Sequence, residues 1–295
     1  MTRRMWDLSS AHRLGVLLVT VSTLAFSTTG FFMRLIDASA WTILFWRGIF
    51  GASFILLYLV WTHRRGVFHA VRAMGWPDMI VTLAYAITMV AYIPALKLTT
   101  VANVTLIGAT VPFFAGLLAW VWLGERPSPT AIAASVALFA GVVVMLTGSR
   151  GTTSHWGDLL AVVANGAFAI VLVVIRRHRN VPMIPAAGLA TLLATVMSLP
   201  FASPGTVSGR DLVYLVLFGF FQMMLGLTLF TLGSRLIPAV TSALIGALEA
   251  PLGPWWVWLA FGEVPGTATF LGGTLALCAV LGHILIEART NVARI

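Results

Sequence analysis

The sequence predicts an all-α integral membrane protein whose ten transmembrane helices form two inverted five-helix repeats. Three observations carry that prediction. Apolar residues make up 59% of the 295-residue chain and charged residues only 9%, with a mean hydropathy of +0.98, whereas soluble domains carry about one-quarter charged residues. The apolar residues gather into runs of roughly twenty, the length that crosses a ~30 Å hydrocarbon layer as a helix. One such run also occurs twice at a single offset of 138 positions: KLTTVANVTLIGATVPFFAGLLAWVWLGERP, from Lys97 to Pro127, returns as RLIPAVTSALIGALEAPLGPWWVWLAFGEVP, from Arg235 to Pro265. Without a gap, Lys97 falls on Arg235, the LIGA run from Leu106 on the one from Leu244, Trp120 on Trp258, and Gly124-Glu125 on Gly262-Glu263.

Taken in order, apolar runs bounded by charge, Pro and Gly give spans over 14–33, 41–62, 79–96, 101–123 and 129–148 in a first half, residues 1–150. The second half, residues 151–295, has spans over 157–175, 184–202, 212–232, 238–260 and 267–286. The first span follows Arg3-Arg4 and so invites reading as a secretion signal. It is longer than a usual signal core, and GVLLVTVSTLAFS from Gly15 has an internal relative in GDLLAVVANGAFA from Gly157. A segment repeated within the chain is expected to be retained.

Basic residues fix the expected orientation. With the amino terminus cytoplasmic, Arg3, Arg4, Arg13, Arg64, Arg65, Arg72, Arg126, Arg176, Arg177, Arg179, Arg235, Arg289 and Arg294 fall inside, and only Arg34, Lys97, Arg150 and Arg210 outside. Both termini are expected in the cytoplasm. Five crossings per half mean that the second copy starts from the opposite side of the bilayer. Halves related by a two-fold axis in the membrane plane can exchange conformations and so open a pathway to alternate sides, which argues for a transporter. The net charge of +9 is spread over short loops, so nucleic acid is not expected as a partner.

Several of these residues resemble the drug/metabolite transporter superfamily of EamA type: Trp46-Arg47-Gly48, the segment ALKLTTVANVTLIGATVPFFAG, the GERP ending at Gly124 to Pro127, and the counterparts SALIGALEAPLGP and Gly262-Glu263. The resemblance extends over essentially the whole chain and is nearest to the aromatic amino acid exporters of that superfamily. It implies a ten-helix exporter in a bacterial inner membrane, with a central cavity walled by the first, third and fourth spans of each half. One departure is that Arg47 has no basic counterpart in the seventh span, PAAGLATLLATVMSLPF.

Within the spans, Glu249 is the one acid near a midplane, where an ionisable group is costly and functional by default. It reads as a proton-coupling site or partner of a substrate ammonium, or else as a carboxyl held neutral against a neighbouring helix. Arg47 sits near the outer end of its span and reads first as an arginine that snorkels to the surface. The alternative is a site for a substrate carboxylate, which a planar guanidinium holds by two bonds. Tyr85, Met89 and Tyr92, spaced by four and three, share a helical face, suited to an apolar side chain with a polar head or simply to packing. Asn165, Phe168, Gln222 and Met223 are the candidates across the pseudo-axis. Trp120, Trp122, Trp255, Trp256 and Trp258 lie near span ends and read as interfacial anchors. Pro94, Pro112, Pro200, Pro251 and Pro254 should bend their spans, and Pro112 and Pro251, at nearly equivalent places, are candidate hinges. Gly108, Gly116, Gly246 and Gly253 suit close helix packing.

The sequence has no phosphate loop, zinc helix, nucleophile elbow or dinucleotide fingerprint, so neither an enzyme nor a cofactor is expected. The six histidines read as solvated or interfacial, and the single Cys278 excludes an intrachain disulfide. No metal site is expected. The expected function is a secondary transporter that exports aromatic and other apolar amino acids by alternating access, as a monomer or homodimer. Its alternatives are export of lipophilic cations, drugs or other metabolites, and, remotely, a membrane-embedded enzyme.

Overall fold

The computed structural model describes residues 2–63, 72–147 and 154–293, and every regular element among them is helical. The expected half boundary at 150/151 and Arg64, Arg65, Arg150 and Arg294 lie outside the described residues. The first span is α1 (Thr2–Ser27) continued by α2 (Thr29–Leu35), and it is followed by α3 (Ala40–His63) and α4 (Trp76–Leu98). The next span is broken into α5 (Val101–Gly108) and α6 (Val111–Leu123), before α7 (Pro129–Met145). Then come α8 (His155–Arg177), α9 (Ile184–Ser198), and α10 (Gly209–Phe218), which runs through a π-helical stretch, Gly219–Leu227, into α11 (Thr228–Ser234). A second broken span, α12 (Ala239–Gly246) and α13 (Glu249–Phe261), precedes α14 (Thr267–Ala293). Among the described residues nine helical segments are long and apolar enough to cross a membrane, and α7 is a shorter apolar helix of 17 residues.

The two broken spans match turn for turn. Each first helix ends at a glycine, Gly108 or Gly246, and each second helix starts three residues later, at Val111 or Glu249. At the breaks Thr110 N donates to Ile107 O and Leu248 N to Ile245 O, both at 3.0 Å, one tightened turn in place of the α-helical bond. Both spans end on a glycine in the left-handed region, Gly124 at φ 70° and Gly262 at φ 71°, as a helix C-terminus favours. Side-chain oxygens of Thr100, Ser128 and Ser208 accept from backbone N–H groups at helix starts.

Helix packing brings α4 against α8, and α1 against α11 and the π stretch. The α3 helix lies against α9 and the π stretch, α9 also against α4, and α7 against α14. Small residues let these backbones approach. A Cβ on Gly272 would fall 2.2 Å from Gly141 O, and one on Gly141 would fall 2.6 Å from Gly272 O, so the α7–α14 contact needs both glycines. Of the glycines expected at close contacts, Gly116 is crowded by Pro127 and Val240, but Gly108, Gly246 and Gly253 have room for a Cβ.

Three other sequence expectations are corrected. His283 is not solvated: it is 3% exposed, with Nε2 3.3 Å from both Thr241 Oγ1 and Glu287 Oε2. Trp256 is not a free anchor, because its indole N–H donates to Ser27 Oγ at 2.7 Å. Pro200 does not bend a continuing helix; it stands in the 3-10 turn Leu199–Phe201 that ends its span.

Gly272→Val is expected to cost about 1–3 kcal/mol by overpacking, read as lost monodisperse protein in detergent. Gly282→Ala, with nothing within 4 Å of the added carbon, is expected to leave the yield unchanged.

Candidate functional site

A cavity of about 790 Å³ occupies the middle of the bundle and runs to the ends of α2, α4, α7 and α13, where Arg34, Lys97, Met145 and Glu263 line it. The volume is within the ~300–1,000 Å³ usual for small-molecule sites. Residues at both helix breaks contribute to its wall, Gly108 and Ala109 on one side and Gly246 and Ala247 on the other. In a hydrocarbon environment an interrupted helix is tolerated where it is covered by protein or faces such a space. The first span is interrupted beside the same cavity, and there Ser27, Thr28 and Thr29 hydroxyls bond to Leu24 O, Ala25 O and Phe26 O at 2.6–2.8 Å.

The eight residues singled out for substrate contact all line this cavity: Tyr85, Met89 and Tyr92 of α4, Asn165 and Phe168 of α8, Gln222 and Met223 of the π stretch, and Glu249. Their polar groups are not equally available. Tyr85 OH is 3.1 Å from Thr231 Oγ1, and Asn165 Nδ2 donates to Ala161 O at 2.8 Å. Tyr92 OH donates to Glu249 Oε1 at 3.3 Å. Glu249 is the first residue of α13, so its carboxyl sits at the positive end of a helix dipole, which favours a negative charge there. Of the two candidate hinges, Pro112 is the second residue of α6 and Pro251 the third of α13, each just beyond a break.

Arg47 departs from the sequence expectation. It does not snorkel: it is 4% exposed and lines the cavity, with Nη1 donating to Gln222 Oε1 and its guanidinium carbon 5.3 Å from the centre of the Phe218 ring. Gln222 Nε2 in turn donates to Thr29 Oγ1 and, at 3.4 Å, to Phe26 O. The Arg47 Nε is buried with no hydrogen-bond partner among the described residues. Gln222 thus joins the first span, the second span and the π stretch. Runs of π-helix inside α-helices are often found at functional sites.

Away from this end of the cavity, polar contacts join residues that do not line it. Arg176 Nε lies 3.2 Å from Glu125 Oε1, Arg177 Nη1 donates to Trp122 O at 2.5 Å, and Arg235 Nε to Arg179 O at 2.7 Å. At the mouth Arg34 pairs with Glu263. In the repeat alignments Glu125 corresponds to Glu263, and Arg34 to Arg176 when Gly15 is set on Gly157.

Against known proteins, the model of the EamA-like transporter family matches residues 13–147 and 155–285. The chain belongs to the EamA-like transporter family. It is therefore a multi-pass membrane transporter rather than an enzyme. It is similar to the pseudopaline exporter CntI of Pseudomonas aeruginosa strain UCBPP-PA14, at 27% identity over 90% of this chain and 94% of the exporter. A probable terminal-alkyne amino-acid exporter of Streptantibioticus cattleyicolor is 31% identical over 63% of this chain and 64% of its own. A protein of known crystal structure superposes with a TM-score of 0.74 over 95% of this chain and 99% of its own; at 21% identity that likeness concerns the fold.

For this EamA-like chain, sequence reasoning missed two rings of the cavity wall. Phe26 and Phe230 line it, and the Phe230 ring lies tilted against both Phe26 and Phe168, with ring centres 5.9 Å and 5.2 Å apart. The signal for Phe26 was present, since setting Gly15 on Gly157 puts Phe26 on Phe168. Phe230 had a marker as well, since the 138-residue offset sets it on Tyr92. Gln222→Leu strips Arg47 of its one bonded partner and is expected to destabilise the protein by about 1–3 kcal/mol, the cost of a buried polar group left unsatisfied. Removing both partners in Arg47→Met/Gln222→Leu should restore most of that loss. A detergent thermal melt of the two variants checks the order.

Proposed function

We propose that the protein is a secondary transporter of a bacterial inner membrane that exports aromatic and other apolar amino acids through the central cavity by alternating access. The observation that carries the substrate reading is the wall itself. Phe26, Phe168 and Phe230 with Met89 and Met223 offer an apolar, polarisable surface, while Glu249, Tyr92 and Gln222 offer a few polar contacts for a small head group. Exporters of amino acids or pseudopaline among its relatives support the direction and the class.

Alternating access is supported by which equivalent helices touch. With two inverted halves, 1–150 and 151–295, exchange of the halves turns the α4–α8 contact into the contact of α1 with α11 and the π stretch, and both are present. The same exchange turns the α6–α12 contact into α5 with α13. Here the symmetry breaks: α6 packs against α12, whereas α5 and α13 both line the open cavity. This is the pattern of a molecule open at the Arg34–Glu263 end and closed at the Glu125–Arg176 end. With both termini cytoplasmic the open end is the outer one. Pro112 and Pro251, beside the breaks, act as hinges about which the half-helices change partners.

In proteoliposomes, labelled Phe and Trp are expected to show saturable flux, and Glu249→Gln to abolish any dependence on a pH gradient; no flux of either amino acid contradicts the reading. Topology reporters at residues 1 and 150 are expected on opposite faces of the bilayer. Finding both on one face contradicts the inverted halves.

A further inference from the structure

The cavity wall carries a guanidinium and a carboxyl group that no residue of opposite charge pairs with among the described residues. Arg47 is nine-tenths buried and then some, at 4% exposed, yet no carboxylate pairs with it among the described residues. Its Nη1 is taken by the amide oxygen of Gln222, and its Nε has no partner among the described residues. Glu249 meets a neutral phenol, Tyr92, and no cation pairs with it among the described residues. Of the other charged residues that line the cavity, all at its mouth, Arg34 and Glu263 pair with each other and Lys97 stands at the end of α4.

A lone ion in a membrane interior is retained only where something compensates it. One ligand can compensate both ions, provided that it carries a negative and a positive group together. We infer that the cavity binds the zwitterionic head of an α-amino acid, with the substrate carboxylate on Arg47 and the substrate ammonium on Glu249. The inference rests on the amino acid export reading and sharpens it. The bond to Gln222 uses Nη1 and leaves the other guanidinium donors for a carboxylate, which a turn of the side chain into the cavity it lines lets bind by two parallel hydrogen bonds. Tyr92, which lines the same cavity and donates to Glu249 Oε1 at 3.3 Å, can move its hydroxyl from Glu249 to the substrate. A lipophilic cation would satisfy Glu249 but meet Arg47 as a like charge, so the same geometry rejects it.

Two analogues of Phe each lack one charge: 3-phenylpropionate has no ammonium and phenethylamine no carboxylate. In counterflow of labelled Phe by reconstituted protein, both are expected to compete at least about tenfold more weakly than Phe, the size of one charge-assisted hydrogen bond. Arg47→Gln should raise the half-saturation concentration for Phe about tenfold or more while phenethylamine competes as well as before or better. Glu249→Gln should do the converse, favouring 3-phenylpropionate. Should Arg47→Gln not fold, Arg47→Lys keeps the charge and loses the fork, and it should weaken Phe selectively against phenethylamine. Saturable Phe flux with equal changes for Phe and both analogues, or with no change in either variant, overturns the inference alone. Wild-type protein that carries phenethylamine and not Phe, or neither, overturns the export reading and the inference with it.

Discussion

Every polar group of the backbone must find a partner when a chain crosses hydrocarbon, and this constraint shapes the whole molecule. Most of the chain meets it with uninterrupted helices. The exceptions are the two breaks before Val111 and Glu249 and the kink at Thr28. Each is repaired locally, by a tightened turn at the breaks and by three consecutive hydroxyls at the kink. All three irregular places border one cavity. The space that tolerates imperfect helices is therefore the space that a solute can occupy.

The same irregularities make polar chemistry possible in an apolar bundle. A helix that starts at Glu249 turns its positive end on that carboxyl, which a continuous helix would not do. The π-helical stretch Gly219–Leu227 supplies Gln222 to Arg47, and its glycines permit the approach: a Cβ on Gly219 would lie 3.0 Å from Arg47 O, and one on Gly226 2.7 Å from the Phe26 ring. The result is a site with large apolar walls and a small number of charged or hydrogen-bonding groups. On the amino acid export proposed above, binding energy for an apolar side chain would come from burial, about 25 cal/mol per Å², and selectivity for the head from the few polar atoms that would otherwise stay unpaired.

Much of this was legible in the chain. Helix length and apolar runs gave nine of the ten expected spans within a few residues, the 129–148 run being a shorter 17-residue helix among the described residues, since hydrocarbon thickness dictates length almost regardless of sequence detail. Duplication at one offset foretold that the breaks and the Gly124 and Gly262 helix ends would match, because equal sequence in equal surroundings adopts equal backbone. Helical periodicity alone brought Tyr85, Met89 and Tyr92 to one wall. What could not be read was set by neighbours distant in sequence. Arg47 looked able to reach the surface when only its own helix was counted, but the π stretch holds it inward. His283 and Trp256 are drawn in by Thr241, Glu287 and Ser27 of other spans. The tight glycine contact is Gly141 with Gly272, a pair that no local pattern marks.

The central claim is that two equivalent halves exchange conformations, closing one end of the cavity as the other opens. Spin labels at Lys97 and Val264 span the mouth, and labels at the repeat-equivalent Arg235 and Arg126 span the closed end. Pulsed electron paramagnetic resonance distances for each pair, in lipid with and without Phe, test the claim most directly. The account predicts a second population in which the 97–264 distance shortens and the 126–235 distance lengthens. Two distances that stay fixed under transport conditions, or that change in the same sense, would contradict it.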